Sequence, residues 1–190
     1  MSAPTLPFFL HSLTFKEDHR CFKQGDKIDF LPGVNLLVGE QGSGKSSLLA
    51  LIQKYDCDVL NWDASCVETR HFDFEKDNLR TRTSMSNNHD VFHLQLATLW
   101  KSHGETANAI LKVLYQVKNI AVLMDEPDQA LSIRSCHALV ESFKVAVSNG
   151  CQIIACVHNP IVISGFEEVI SLEHRKIMSS KEFIQSHGGM

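Results

Sequence analysis

The sequence predicts an α/β fold, a mainly parallel sheet flanked by helices with an amino-terminal layer of antiparallel strands. Three observations predict it. Short apolar runs alternate with longer helical patterns, and no repeat, low-complexity tract or Gly/Ser linker divides the chain. Two of the runs, Ile120 to Met124 and Ile153 to Val157, are unbroken, as suits strands buried on both faces of a parallel sheet. A glycine-rich turn, Gly39 to Gly44, follows a third apolar run and opens a helical pattern. One domain over residues 1–190 is expected, because a chain of 190 residues can bury roughly two-thirds of its unfolded surface around one core.

Taken in order, Phe8-Phe9-Leu10 through Phe15 reads as the first strand, Ile28 to Leu31 as the second and Val34 to Val38 as the third. Pro32-Gly33 turns the chain between the last two. After Lys45 the apolar residues Leu48, Leu49, Leu51 and Ile52 recur at helical spacing, and the pattern fades by Tyr55. The stretch from Asp56 to Asp90 is polar and rich in Asn, Thr and Ser, with one strand expected near Val67 to Phe74. Residues 56–118 form a variable region, with helical patterns at Val91 to Trp100 and at Glu105 to Val117. The second of these places Ala109, Ile110, Val113, Leu114 and Val117 on one face. A further helix, closed by Asn149-Gly150, leads into the last apolar run.

Composition narrows the classes of function. With 44% apolar and 21% charged residues the chain has the make-up of an ordinary soluble protein. A net charge of -4 argues against a strongly cationic nucleic-acid binder, and Arg80 and Arg82 form no basic track; a nucleic-acid partner has no support here. The six cysteines contain no C-x-x-C pair, and the chain opens Met1-Ser2-Ala3-Pro4 without a basic flank and apolar run. Reduced thiols and a cytoplasmic location are expected. Cys151 and Cys156 lie among Ile, Ala and Val and read as small core residues. Apolar runs of this length are too short for a bilayer, so no direct membrane insertion is expected.

The chemistry is carried first by Gly39-Glu40-Gln41-Gly42-Ser43-Gly44-Lys45-Ser46, followed by Ser47. It matches G-x-x-x-x-G-K-[ST] in the context that motif needs, after a strand and before a helix. Such a P-loop turns backbone N–H groups toward phosphate, and the helix adds its positive end. Lys45 reaches the β/γ-phosphates and Ser46 binds Mg²⁺. ATP and Mg²⁺ are the expected ligands. The run ending in Met124-Asp125-Glu126-Pro127 supplies two carboxylates. Asp125 would hold the metal, and Glu126, pointing the other way along the strand, would orient and deprotonate the attacking water. His158 stands at the carboxyl end of another strand, where it would contact the γ-phosphate or the water, a reading favoured over that of a core or cap residue by its place after the strand and its spacing from Asp125.

Asp125-Glu126-Pro127, Ala130-Leu131-Ser132 and Val157-His158-Asn159-Pro160 resemble the Walker B, D-loop and switch-histidine series of ABC ATPases. Ser102-His103-Gly104-Glu105 is similar to the S-x-G-E signature of the SMC-like, RecF-like and OLD-like branch, closest to small stand-alone ATPases with an S-H-G-E signature. The lead-in Arg20-Cys21-Phe22-Lys23 resembles that branch too. The resemblance implies a P-loop NTPase fold of the ABC ATPase head type. It also implies a composite site in which Ser102 and Gly104 of one copy complete the Lys45, Asp125, Glu126 and His158 site of another. One departure stands out: no Gln lies between Gln53 and Gln95, where the family carries its Q-loop, and Asp73 or Glu75 falls in that region instead. For the adenine ring, Phe15 and Phe22 are candidate stacking residues or core residues.

The expected function is therefore ATP binding and hydrolysis as an ATP-driven homodimerisation switch, with lysine, glutamate and histidine at 45, 126 and 158 as the catalytic set. The alternatives are an ATP-binding regulatory or scaffold subunit for a separate effector protein, and, third, the nucleotide-binding subunit of a transporter. No N/T-K-x-D segment points to a GTPase and no Arg-rich lid to a small-molecule kinase. The interval between Lys45 and Ser102 has no sustained heptads and no room for coiled-coil arms.

Overall fold

The computed structural model describes residue 6 and residues 8–65, 69–73, 114, 117–129 and 131–188. Two sheets organise it. Strands β1 (Leu10–Phe15), β2 (Lys27–Asp29) and β4 (Leu60–Ala64) form an antiparallel sheet in the order β2-β1-β4. The larger sheet is ordered β5-β6-β7-β3-β8-β9. In it β3 (Val34–Val38), β5 (Thr69–Asp73), β6 (Ala121–Asp125), β7 (Gln152–Cys156) and β8 (Glu168–Ser171) run parallel, and β9 (Lys176–Ser179) returns antiparallel beside β8. Helices α1 (Lys45–Lys54), α2 (Ile133–Ser148), α3 (Pro160–Ile163) and α4 (Ser180–Ser186) complete the described elements. The predicted class, a mostly parallel sheet flanked by helices with an antiparallel layer built from the amino-terminal strands, is the one observed.

The unbroken apolar runs are explained by burial on two faces. Leu36, Val38, Val122, Met124, Ile153, Ala155 and Val157 pack toward Leu139, Phe143 and Ala146 of α2. Their neighbours Leu37, Leu123, Ile154 and Cys156 point the other way, toward Leu48, Leu49 and Ile52 of α1 and Leu13, Phe15 and Ile28 of the antiparallel sheet. A strand clamped between two cores has no solvent face to alternate with, so its sequence does not alternate. Leu114 and Val117, expected on an apolar helix face, are buried in the α2-side core. Burial of Cys136, Cys151 and Cys156 agrees with the reading of those in the apolar run as core residues. Among the described residues no helix is long and apolar enough to cross a membrane.

Two differences from the sequence reading have local causes. Strand β2 stops at Asp29 because Asn35 captures the next turn: its Oδ1 accepts from Leu31 N at 2.6 Å and its Nδ2 donates to Leu31 O at 2.9 Å. Strand β4 lies in the polar stretch and carries one fully buried side chain, Leu60. Pairing with β1 in the register Leu13↔Trp62 and Phe15↔Leu60 makes it a strand, which periodicity within its own five residues cannot reveal. Near Val67 to Phe74 the observed strand is Thr69–Asp73.

The sheets are stitched together by one buried amide. Gln152, fully buried at the start of β7, accepts from Phe9 N (3.0 Å) and Leu10 N (2.8 Å) through Oε1. Its Nε2 donates to Leu10 O (2.9 Å) and Leu31 O (3.1 Å). Gln152→Leu would remove all four of these bonds, Leu31 O alone keeping its bond from Asn35, so a loss of about 2–4 kcal/mol in unfolding free energy is expected from urea denaturation.

Candidate nucleotide site

Strands β3, β6 and β7 are neighbours, and their carboxyl ends come level. Asp125 and Leu37 are both register partners of Cys156. The segments leaving these three ends, the glycine-rich turn, the Glu126 turn and His158, are thereby gathered at one edge of the sheet, where parallel α/β folds place their ligands.

Within the turn, Gly39, Gly42 and Gly44 have φ of 145°, 87° and 98°, a region open to glycine and strained for other residues. Gly44 also needs to lack a side chain, since a Cβ there would lie 2.7 Å from the Phe22 ring. Helix α1 begins at once with Lys45, with no side-chain cap and no acidic residue in its first turn. Its free N–H groups and positive end are left to an anion. Lys45 is buried and donates to Gly39 O at 2.7 Å and Glu40 O at 2.9 Å, so the ammonium is held against the turn it serves. Burial lowers its pKa, against the opposing influence of the nearby carboxylates Glu126, Glu173 and Asp125.

Ser46 Oγ donates to Asp125 Oδ1 at 3.1 Å, joining α1 to the end of β6. A hydroxyl and a carboxylate beside a phosphate-binding turn make a hard oxygen donor set, which fits Mg²⁺. Below them the Cys156 thiol is pushed well above its ordinary value by burial and then by Asp125, and remains a neutral core group.

For Glu126 the strand-alternation argument is corrected. Strand β6 ends at Asp125, and Glu126 takes the left-handed conformation with φ 52° while its N–H donates to Cys156 O at 3.1 Å. Alternation therefore no longer governs its direction. Its Oε1 lies 3.5 Å from His158 Nε2, and the two side chains are 35% and 47% exposed. His158 is thus on the cleft wall and not in the core.

A cleft of about 830 Å³ runs across this edge, lined by Gln41, Gly42, Gly44, Lys45, Ser46 and Ser47 on one side and Glu126 and His158 on the other. Arg20 enters it as well, with its Nη1 donating to Ser47 Oγ at 2.7 Å. Phe15 and Phe22 are both buried and stack on each other with centroids 4.3 Å apart. They are core residues in this structure, closed off from an adenine ring. Ser102, Gly104 and Glu105 of the S-x-G-E segment, Ala130, Phe74, Glu75, Arg80 and Arg82 lie outside the described residues, as do the expected helix at 91–100 and residues 105–113 of the next. The backbone of Asp73 is the register partner of Asp125, so the segment in the Q-loop region ends level with the end of β6.

Residues 17–53 match the family model described as AAA domain. The match takes in β2, β3, the glycine-rich turn and nearly all of α1, and it supports an ATP-binding P-loop ATPase of a general AAA type. No curated protein matches the chain.

One contact to the turn comes from a segment without a recognisable motif. Glu173, after β8, accepts the Glu40 N–H through Oε1, and its Oε2 lies 3.2 Å from His187 Nε2. His187 Nδ1 is 2.9 Å from Phe183 O at the end of α4. The Phe183 carbonyl chiefly, and then Glu173, raise the His187 pKa above 6.5. The Glu40 N–H chiefly, and then His187, lower that of Glu173 below 4.5. A raised histidine contributes stability in full below pH 6.5 and loses it as pH rises through the folded value. A lowered carboxylate contributes above pH 4.5 and loses it as pH falls through its folded value. In urea denaturation across pH, the deficit of His187→Ala is expected to close on the alkaline side and that of Glu173→Ala on the acid side.

Proposed function

We propose that this chain is a single ABC-type ATPase domain that binds Mg-ATP, pairs with a second copy and hydrolyses the nucleotide at the shared site, acting as an ATP-driven dimerisation switch. One observation carries the reading: the Ser46–Asp125 pair at 3.1 Å and the Glu126–His158 pair at 3.5 Å meet Lys45 at the ends of three adjacent strands. Two carboxylates with different partners suit two different tasks.

In this mechanism the N–H groups of Gly42 to Ser47 cradle the phosphates. Lys45 shifts from the carbonyls of Gly39 and Glu40 to the β/γ-phosphate oxygens, trading neutral acceptors for charged ones. Ser46 and Asp125 would hold Mg²⁺, which would neutralise charge on the phosphates when bound. Glu126 orients the attacking water and accepts its proton, and His158, beside Glu126, donates toward the γ-phosphate. Ser102 and Gly104 of the second copy would close the cleft, as the signature resemblance implies. The open side of the cleft, with both Glu126 and His158 partly exposed, gives such a cap somewhere to sit.

The test is oligomeric state. Glu126→Gln in Mg-ATP is expected to run as a dimer by light scattering, and the same variant without nucleotide as a monomer. A monomer under both conditions would overturn the switch while leaving nucleotide binding standing.

A further inference from the structure

Among the described residues the polar side chain facing the His158 imidazole is Glu126, at 3.5 Å. That is too long for a hydrogen bond to orient the ring. Its backbone must place it. Val157 N–H is anchored on Leu37 O at 3.2 Å in the parallel ladder, and beyond that point the chain leaves the sheet. The next two N–H groups, of His158 and Asn159, both donate to one atom, Asp128 Oδ2, at 2.7 and 2.6 Å. Asn159 in turn caps Ile161 N at 2.9 Å, which starts α3.

Asp128 lies three residues past Asp125, in the same turn as Glu126, where Gln129 N donates to Glu126 O at 3.1 Å. The carboxylate therefore spans from the turn carrying Glu126 to the turn carrying His158. It is 5% exposed, and its other oxygen, Oδ1, is buried with no hydrogen-bond partner among the described residues. A buried carboxylate with half its acceptors unused is a costly way to cap two N–H groups. Short charge-assisted bonds make it a stiff one.

We infer that Asp128 is a positioning residue, which fixes the distance between His158 and Glu126 by clamping the His158–Asn159 backbone to the turn after β6. The inference rests on the reading of Glu126 and His158 as the hydrolytic pair. Asp128 borders the cleft but is 5% exposed, and its Oδ2 is taken up by the two backbone N–H groups, so in this role its loss acts on the chemical step and spares affinity.

The experiment compares the full chain with Asp128→Ala, Asp128→Asn, His158→Ala and the Asp128→Ala/His158→Ala double variant, in steady-state ATP turnover and in binding of a fluorescent ATP analogue. Asp128→Ala is expected to lower kcat by about tenfold or more with KM and analogue affinity within about twofold. Asp128→Asn, whose amide oxygen can still accept both N–H groups, is expected to recover most of that loss. The double variant is expected to match His158→Ala within about twofold, since a clamp has nothing to place once the imidazole is gone. If Asp128→Ala does not fold, Asp128→Ser, one bond too short to bridge both groups, takes its place with the same expectation. Unchanged kcat in the alanine variant, a parallel loss of affinity, or losses that multiply in the double variant would each overturn the role. Slow His158→Ala with normal Asp128→Ala removes this inference alone, whereas normal turnover in His158→Ala removes the hydrolytic reading and the clamp with it.

Discussion

Glu126→Gln is expected to lower ATP turnover by about 10²- to 10⁴-fold while nucleotide affinity stays within about twofold, the range that loss of a general base produces. Glutamine is the same length as glutamate and tolerates the left-handed backbone at φ 52° no worse. Its N–H can still bond to Cys156 O, so the turn keeps its anchor. What disappears is the basic oxygen 3.5 Å from His158. Lys45, Ser46 and the glycine-rich turn are untouched by the change. Steady-state kinetics with a fluorescent nucleotide titration separates the outcomes: kcat falling alone places Glu126 in the transition state, and affinity falling in step would make it a binding residue.

Gly44→Val is expected to weaken nucleotide binding by about 100-fold or more. Two costs combine. A β-branched residue at φ 98° is strained by about 1–3 kcal/mol, and its Cβ would stand 2.7 Å from the Phe22 ring and 2.5 Å from Cys21 Sγ. The ring cannot yield, because Phe22 stacks on Phe15 on one side and Arg175 lies 4.5 Å over its centroid. The turn must move instead, taking with it the first N–H groups of α1 and the carbonyls that hold Lys45. About 2.7 kcal/mol of lost binding is a hundredfold in affinity. Titration with the fluorescent analogue reads the loss, and circular dichroism checks that the helices and sheet persist, since the core around α2 is formed by other residues.

The glycine-rich turn was legible because its chemistry is local. Eight consecutive residues carry their own conformational demands, and a strand before and a helix after them can be read by periodicity. The apolar runs of β6 and β7 were legible because burial on two faces writes itself into each run separately. Asp125 could be read as a strand-end carboxylate for the same reason. Glu126 beside it could be named but not aimed, since alternation predicts a direction only while the strand lasts, and φ at Glu126 ends it.

The sequence by itself determined the fold class, the glycine-rich turn and two of the residues that line the cleft across from it, Glu126 and His158. Tertiary structure alone decided which partners those residues meet. Ser46 meets Asp125 across 79 positions, Asp128 grips His158 across 30, Glu173 reaches Glu40 across 133 and Gln152 ties Phe9 across 143. No periodicity connects residues so far apart. Strand β4 belongs with them, a polar segment whose pairing with β1 makes it a strand. The physical reason is common to all: conformational preference and burial pattern are properties of a short window, whereas a hydrogen bond between distant segments exists only after the sheet has set their register.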